Sequence, residues 1–159
     1  FKSLPPLRRM WMRQGQQVRI PTPPSNQSFA LYGALEIYTG DWVSADFDKA
    51  NSQATVAYLQ QMVERYPQRR ILLIWDQASF HISRQVQNWI DDHDHLQVLL
   101  LPKRIPQENP VEAIWLHLKD QVAANLTRTL DNIKAACALA FRQLGPQGLL
   151  RLAGLEPIT

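Results

Sequence analysis

The chain has a single cysteine, Cys137, among its 159 residues. An internal disulfide is therefore excluded, and one thiol cannot build a zinc site. A reducing, intracellular setting is the plain reading, with Cys137 a small helix-packing residue. Long apolar runs are also lacking: none approaches the roughly 20 residues that a membrane-spanning helix needs, which excludes such a helix. Acidic residues are missing from the opening stretch. The first is Glu36, and before it stand Lys2, Arg8, Arg9, Arg13 and Arg19, a local balance of +5. The remaining 124 residues carry 12 bases against 14 acids. Such asymmetry is compatible with a polyanionic partner, although a basic solvated arm is its commoner explanation. An initiator Met and a charged-then-apolar leader are absent as well, so the sequence reads as an internal piece of a longer frame. With 45% hydrophobic and 19% charged residues, the chain has enough apolar material for one core, and wholesale disorder is excluded.

The organisation follows from the spacing of apolar residues and breakers. Pro5, Pro6, Pro21, Pro23 and Pro24 make residues 1–25 a basic, extended lead-in. Ser28 to Ile37 is rich in β-formers, Tyr38-Thr39-Gly40-Asp41 is turn chemistry, and Trp42 to Phe47 completes an antiparallel hairpin. Val56, Leu59, Met62 and Val63 then recur at helical spacing up to Pro67. Arg70 to Trp75 and Leu96 to Leu101 are short continuous apolar runs, the pattern of parallel strands buried on both faces. Helices are expected over Ser83 to Ile90, from Pro110 onward, and from Leu130 to Leu144, with a short one after Gly148. The result is a mixed α/β layered domain: the lead-in, a sheet and motif region over 26–125, and C-terminal helices over 126–159.

Two acids stand out by position. Asp76 directly follows an apolar strand, at the carboxyl end where open α/β sheets place ligands. Glu112 lies 36 positions later, in the opening turn of a helix after the second such strand. Carboxylates converging at one sheet edge repel unless a cation lies between them, and hard oxygen donors select Mg²⁺ or Mn²⁺. Two such ions held together activate a water or hydroxyl and stabilise the leaving oxygen of a phosphodiester. A plainer explanation exists for each. Asp76 can simply open the turn Asp76-Gln77-Ala78-Ser79, and Glu112 sits where a capping box would put it, with Asn109 as N-cap and Pro110 at N1.

The words around these acids carry more information. DQASFH (76–81) and LPKRIPQENPVEAIW (101–115) resemble two motifs of the DDE transposases, and more narrowly of the mariner-type superfamily of insertion-sequence transposases. The matching positions are Asp76 and His81, Leu101-Pro102, Pro106, Asn109-Pro110-Val111-Glu112, Trp115 and Lys119; LPPLRRMWMRQGQ near the start resembles the segment after the family's first strand. The resemblance implies a ribonuclease H-like fold, a mixed sheet flanked by helices. It implies metal-dependent cleavage and transfer of DNA phosphodiester bonds at transposon ends. Asp76 and Glu112 would be the second and third metal-binding acids of the triad, with two Mg²⁺ or Mn²⁺ ions in a complete site. The implied partners are transposon-end and target DNA, the implied assembly is a homodimer, and the implied setting is the bacterial cytoplasm at the nucleoid.

The departures are specific. Arg104 and Ile105 occupy loop positions where the family usually has an aromatic and a serine. The strand carrying the family's first catalytic Asp would precede Phe1, centrally in the sheet and beside Arg70 to Trp75, and it is missing here. Asp41, Asp46 and Asp48 belong to the hairpin and Glu36 to its first strand, so none substitutes. Two carboxylates instead of three should hold metal weakly, and the isolated chain is expected not to cleave DNA. The lost strand should leave an apolar, unpaired edge. A non-catalytic remnant serving as a DNA- or protein-binding module is the rival reading, and an unrelated α/β domain with a capped helix is the plainest one. His81, Lys103 and Arg104 are candidate DNA contacts. Trp11, Trp42, Trp75, Trp89 and Trp115 read as packing anchors, and His93 and His95 resemble a metal cluster in composition only.

Overall fold

Turn chemistry sets the first element pair. The computed structural model describes residues 1, 27–103, 109–123 and 129–155. Strand β1 (Ala30–Leu35) pairs antiparallel with β2 (Trp42–Phe47), with Ala30 opposite Phe47 and Leu35 opposite Trp42. Glu36 organises the turn: its carboxylate accepts from the backbone N–H groups of Tyr38 (3.2 Å) and Thr39 (2.6 Å) and from the Thr39 hydroxyl. Gly40 has φ +76°, and a Cβ there would lie 2.5 Å from the Pro146 carbonyl oxygen, so a side chain is excluded twice over.

Helix α1 (Ser52–Arg65) starts at Asn51, whose side chain accepts from Ala54 N–H at 2.8 Å. It lays Ala54, Tyr58 and Met62 on the even-numbered face of β1, where Tyr32 donates or accepts a buried hydrogen bond with Thr55 at 3.1 Å. Strand β3 (Ile71–Trp75) and β4 (Leu96–Leu100) form a parallel pair linked through α2 (Arg84–Asp91), which Ser83 caps. Leu59, Trp75, Val86 and Leu96 make the core between α1, α2 and these strands. The last two helices, α3 (Val111–Ala123) and α4 (Leu130–Leu152), bury Leu118, Val122, Ile133 and Cys137 against Phe29.

Two differences from the sequence expectation have physical causes. Strands β3 and β4 are packed on one face only; Leu72 (63% exposed), Ile74 (48%) and Leu99 (54%) stand open on the other. The pair is parallel, but among the described residues no helix covers that second face. The last helix breaks at Gly145 (φ 59°, ψ 178°), just past the expected end at Leu144, but its second part resumes at Pro146 and not after Gly148, and runs to Leu152. Proline cannot donate and clashes with the preceding turn, so the kink falls just ahead of it. The unpaired edge expected beside Arg70 to Trp75 is present: the strands stand as two two-stranded ribbons, β1–β2 and β3–β4, and among the described residues no strand joins them.

Candidate active site

Asp76 follows the last residue of β3, and its side chain is held by its own turn. Oδ1 accepts from Ala78 N–H at 3.0 Å and lies 2.7 Å from His81 Nδ1. The His81 ring is stacked flat on Trp75, with centroids 4.4 Å apart and planes 2° apart, and the side chain is only 16% exposed. That stacking fixes the ring plane and so the nitrogen that meets Asp76. Both contacts fall on Oδ1; among the described residues Oδ2 has no partner, and the side chain is 59% exposed. Gln77 braces the other side of the turn by donating to the Leu101 carbonyl at 2.9 Å, which ties the end of β3 to the chain leaving β4.

Glu112 lies in the first turn of α3 and is exposed. Asn109 does cap this helix, its Oδ1 accepting from Val111 N–H at 3.2 Å, while its carbonyl accepts from Glu112 N–H at 3.0 Å. The reciprocal half of a capping box is not made: among the described residues the Glu112 carboxylate has no hydrogen-bond or ion-pair partner. Buried Ile114 and Leu118 anchor the opposite side of the helix, and the half-buried Trp115 ring meets Trp42 at 5.5 Å.

Asp76, His81, Asn109, Glu112, Trp115 and Lys119 line one open cavity of about 1380 Å³, which runs back between β1 and β3. The structure thus brings Asp76 and Glu112 to a common space and joins His81 to Asp76. Lys103 is an exposed turn residue, and Arg104 and Trp11 lie outside the described residues. As to metal, two carboxylates with uncommitted oxygens fit an oxygen-seeking divalent ion by donor type. They fall short in number: among the described residues no group of three or more His, Cys, Asp or Glu side chains is gathered as a ligand set. His93 and His95 form no such set either; His93 is stacked on Trp89 (3.8 Å) and its Nδ1 is 2.7 Å from the Trp89 carbonyl.

A polar cluster that sequence reasoning did not single out lies by the hairpin turn. Asp41 accepts from Tyr66 O–H at 2.6 Å and from the Arg65 guanidinium at 3.2–3.3 Å. The Tyr66 hydrogen bond, with Arg65 beside it, holds the Asp41 carboxyl below the ordinary aspartate range. Burial first, and then Asp41, push the Tyr66 phenol up to about 12. The pairs span 24 and 25 positions, so only the hairpin-to-helix packing brings them together.

The fold is ribonuclease H-like. Over 95% of this chain it is similar to 47% of the Mos1 transposase in its paired-end complex with the left transposon end, at 14% identity and a TM-score of 0.69. It is similarly close to the Mos1 mariner paired-end complex with Mn (TM-score 0.67, 15% identity, 95% of this chain and 48% of that one). By sequence the chain is 31% identical over 116 residues to the insertion element IS630 uncharacterized 39 kDa protein of Shigella sonnei. That match covers 72% of this chain and 34% of the relative, so the chain spans about a third of its length. The model of the DDE superfamily endonucleases matches residues 1–134, and the chain belongs to that family.

Proposed function

We propose that this chain is the metal-binding portion of an insertion-element transposase catalytic domain, with Asp76 and Glu112 as its two divalent-metal ligands. The observation that supports this is the pair of carboxylates, one at the end of β3 and one at the start of α3, that line one cavity with oxygens uncommitted among the described residues. Bound Mg²⁺ or Mn²⁺ would supply activation of a water or hydroxyl and stabilisation of a leaving oxygen on a DNA phosphodiester. The chain's own residues do the positioning. Trp75 holds the His81 ring, His81 and Ala78 N–H fix Oδ1 of Asp76, and Oδ2 is left for the ion. Lys103 and Arg104, nine and eight positions ahead of Glu112 in sequence, are the cations this reading assigns to phosphates of transposon-end or target DNA. A homodimer acting on two DNA ends belongs to the same reading.

Two ligands give a weak site, so the isolated chain should bind Mn²⁺ with a dissociation constant on the order of a millimolar and should not cut DNA. The test is a Mn²⁺ titration by water-proton relaxation on the wild type, Asp76→Asn and Glu112→Gln, beside a cleavage assay on transposon-end DNA. Loss of binding in both variants, with their far-UV circular dichroism unchanged, supports the assignment. Binding indifferent to both substitutions points instead to a remnant that acts by binding alone. Mn²⁺-dependent cleavage abolished by Asp76→Ala would overturn the expected inactivity.

A further inference from the structure

The outer edges of β2 and β4 differ in charge. Strand β2 carries Asp46 within it and has Asp41 and Asp48 beside its ends, with the Lys134 ammonium on Asp46 at 2.6 Å. Charges of that kind keep an edge from pairing with another chain. Strand β4, with the sequence LQVLL, carries none. Its one strand partner among the described residues is β3, and none of its five residues lines the cavity beside Asp76. The edge of β4 that faces away from β3 is therefore open to the outside.

Backbone alternation identifies the free groups on that edge. The His95 carbonyl accepts from Ile71 N–H, and Leu101 N–H donates to the Trp75 carbonyl, so the odd-numbered residues of β4 face β3. The N–H and C=O groups of Leu96, Val98 and Leu100 point away from it. Leu96 N–H is taken by the His93 carbonyl at 2.8 Å, which leaves Val98 and Leu100 as donors. Pro102 has no N–H and ends the usable edge. Leu99 is 54% exposed and Leu100 40%. Unused donors beside exposed leucines are a template for a further strand.

The charges at the two ends of the edge select that strand. Asp91, Asp92 and Asp94 stand ahead of β4 and Lys103 stands just after it, all of them exposed. Among the described residues none of these four side chains has an ion-pair partner. A second copy running antiparallel lays its Lys103 by Asp94 and its Asp94 by Lys103. A second copy running parallel would set acid on acid and base on base. The edge is thus complementary to itself in the direction that a two-fold axis normal to the sheet produces. With the axis at Val98, Val98 exchanges both bonds with its symmetry mate and each Leu100 N–H meets a Leu96 carbonyl. With the axis at Leu99, Val98 and Leu100 exchange bonds pairwise. Either register uses every free donor and keeps Asp94 one position from Lys103 of the other copy.

We propose that the outer edge of β4 is a self-association surface, which joins two copies of this chain antiparallel through Val98 and Leu100 and sets Asp94 of each by Lys103 of the other. It gives the homodimer of the proposed function a contact, with Lys103 meeting a carboxylate in protein free of DNA. It does not rest on the metal assignment, and its test contains neither metal nor DNA. An edge of five residues falls short of the roughly 1,200 Å² of a stable specific interface, so the dissociation constant should be on the order of 10–100 µM.

Sedimentation equilibrium across concentrations that bracket this value tests it. The wild type should show a monomer–dimer equilibrium that stops at two copies. Asp94→Lys and Lys103→Asp should each weaken it at least about fivefold, because each sets two like-charged pairs across the axis. Their equimolar mixture should regain wild-type strength, since the mixed dimer pairs every charge. Leu100→Pro removes two of the interchain bonds at an edge position that tolerates proline, and should leave the chain monomeric with unchanged far-UV circular dichroism. Amide exchange at Val98 and Leu100 should slow at least about tenfold where the dimer predominates. A monomer at every concentration overturns the proposal, as does a mixture no stronger than its two components. Growth beyond two copies overturns it too, and so does a dimer in which Val98 and Leu100 exchange freely. If Leu100→Pro unfolds, the mixture of charge variants decides alone.

Discussion

Adding one methyl group at Gly33 tests the packing that sets α3, and with it Glu112, against the hairpin. A Cβ built on Gly33 would lie 2.3 and 2.6 Å from two ring carbons of Trp42 and 2.8 Å from one of Trp115. Neither ring has an easy escape: Trp42 is held between Trp115 at 5.5 Å and Phe141 at 4.9 Å. The backbone of Gly33 is not in the left-handed region, so the conflict is one of volume and not of φ. Overpacking of this kind costs about 1–3 kcal/mol. Replacing glycine also lowers unfolded-chain entropy, which returns about 0.4–1 kcal/mol. The net expectation for Gly33→Ala is a loss of about 1–2 kcal/mol, or a Tm lower by about 2–8 °C for a chain of this size.

Urea unfolding followed by tryptophan fluorescence measures it, and the slope with urea should stay unchanged because the folded surface does not. Trp42→Phe removes the two closest ring carbons, and it also removes a buried indole N–H that has no partner among the described residues. In the double variant the methyl should therefore cost at least about 0.5 kcal/mol less than it does alone. A Gly33→Ala protein within 0.3 kcal/mol of wild type, or a strictly additive double variant, would refute the argument that these rings are fixed.

Three further outcomes are expected. Tyr66→Phe removes the 2.6 Å hydrogen bond to Asp41 and should cost about 0.5–1 kcal/mol at pH 7, at the low end because the pair is partly solvated. Asp41 is held below its ordinary pKa of 3.8, so its contribution is complete above that value and vanishes as pH falls through the lower folded-state value; the gap between wild type and Tyr66→Phe should close over that acid range. Cys137 is 2% exposed, and burial pushes its thiol up to about 11, so a thiol-specific disulfide reagent at pH 8 should label it at least about a hundredfold more slowly in buffer than in 8 M urea. His81→Ala frees Oδ1 of Asp76 to rotate and should weaken Mn²⁺ binding by about tenfold without the abolition expected for Asp76→Asn, and equal affinity would remove His81 from the site.

Local chemistry was the most legible part of this sequence. The Tyr38–Asp41 turn, the α2 start at Ser83 and the α3 start at Asn109 all follow from residues within a few positions of one another, and each lies where spacing puts it. The bond between Asp76 and His81 is likewise five residues long and stays inside one turn. What periodicity could not supply was any long-range convergence. Nothing in the spacing of 36 residues requires Asp76 and Glu112 to share a cavity; their places after two apolar strands allowed it, and the motif likeness made it an expectation. The Asp41–Tyr66–Arg65 cluster went unseen because it depends on how α1 lies across the hairpin. The open face of β3 and β4 was missed for a related reason: an apolar run states that a strand can be buried on both sides, but not whether anything is there to cover it.

The two carboxylates of the acidic site are held by separate packing. Asp76 is positioned by the end of β3, and among the described residues β3 is held by hydrogen bonds along one edge only, through β4. Its turn gains one further tie, from Gln77 to Leu101, which also leads back to β4. The strand's hydrogen bonds among the described residues therefore come from the β4 side, and apolar packing against α1, α2 and Tyr32 adds the rest. Glu112 is held from the other direction, through Ile114, Leu118 and Trp115 against α4 and the hairpin. Asp76 and Glu112 are thus set by different packing, one by the β3–β4 ribbon and the other by α3 against α4 and the hairpin, so a core substitution that loosens either packing should weaken Mn²⁺ binding without touching a carboxylate.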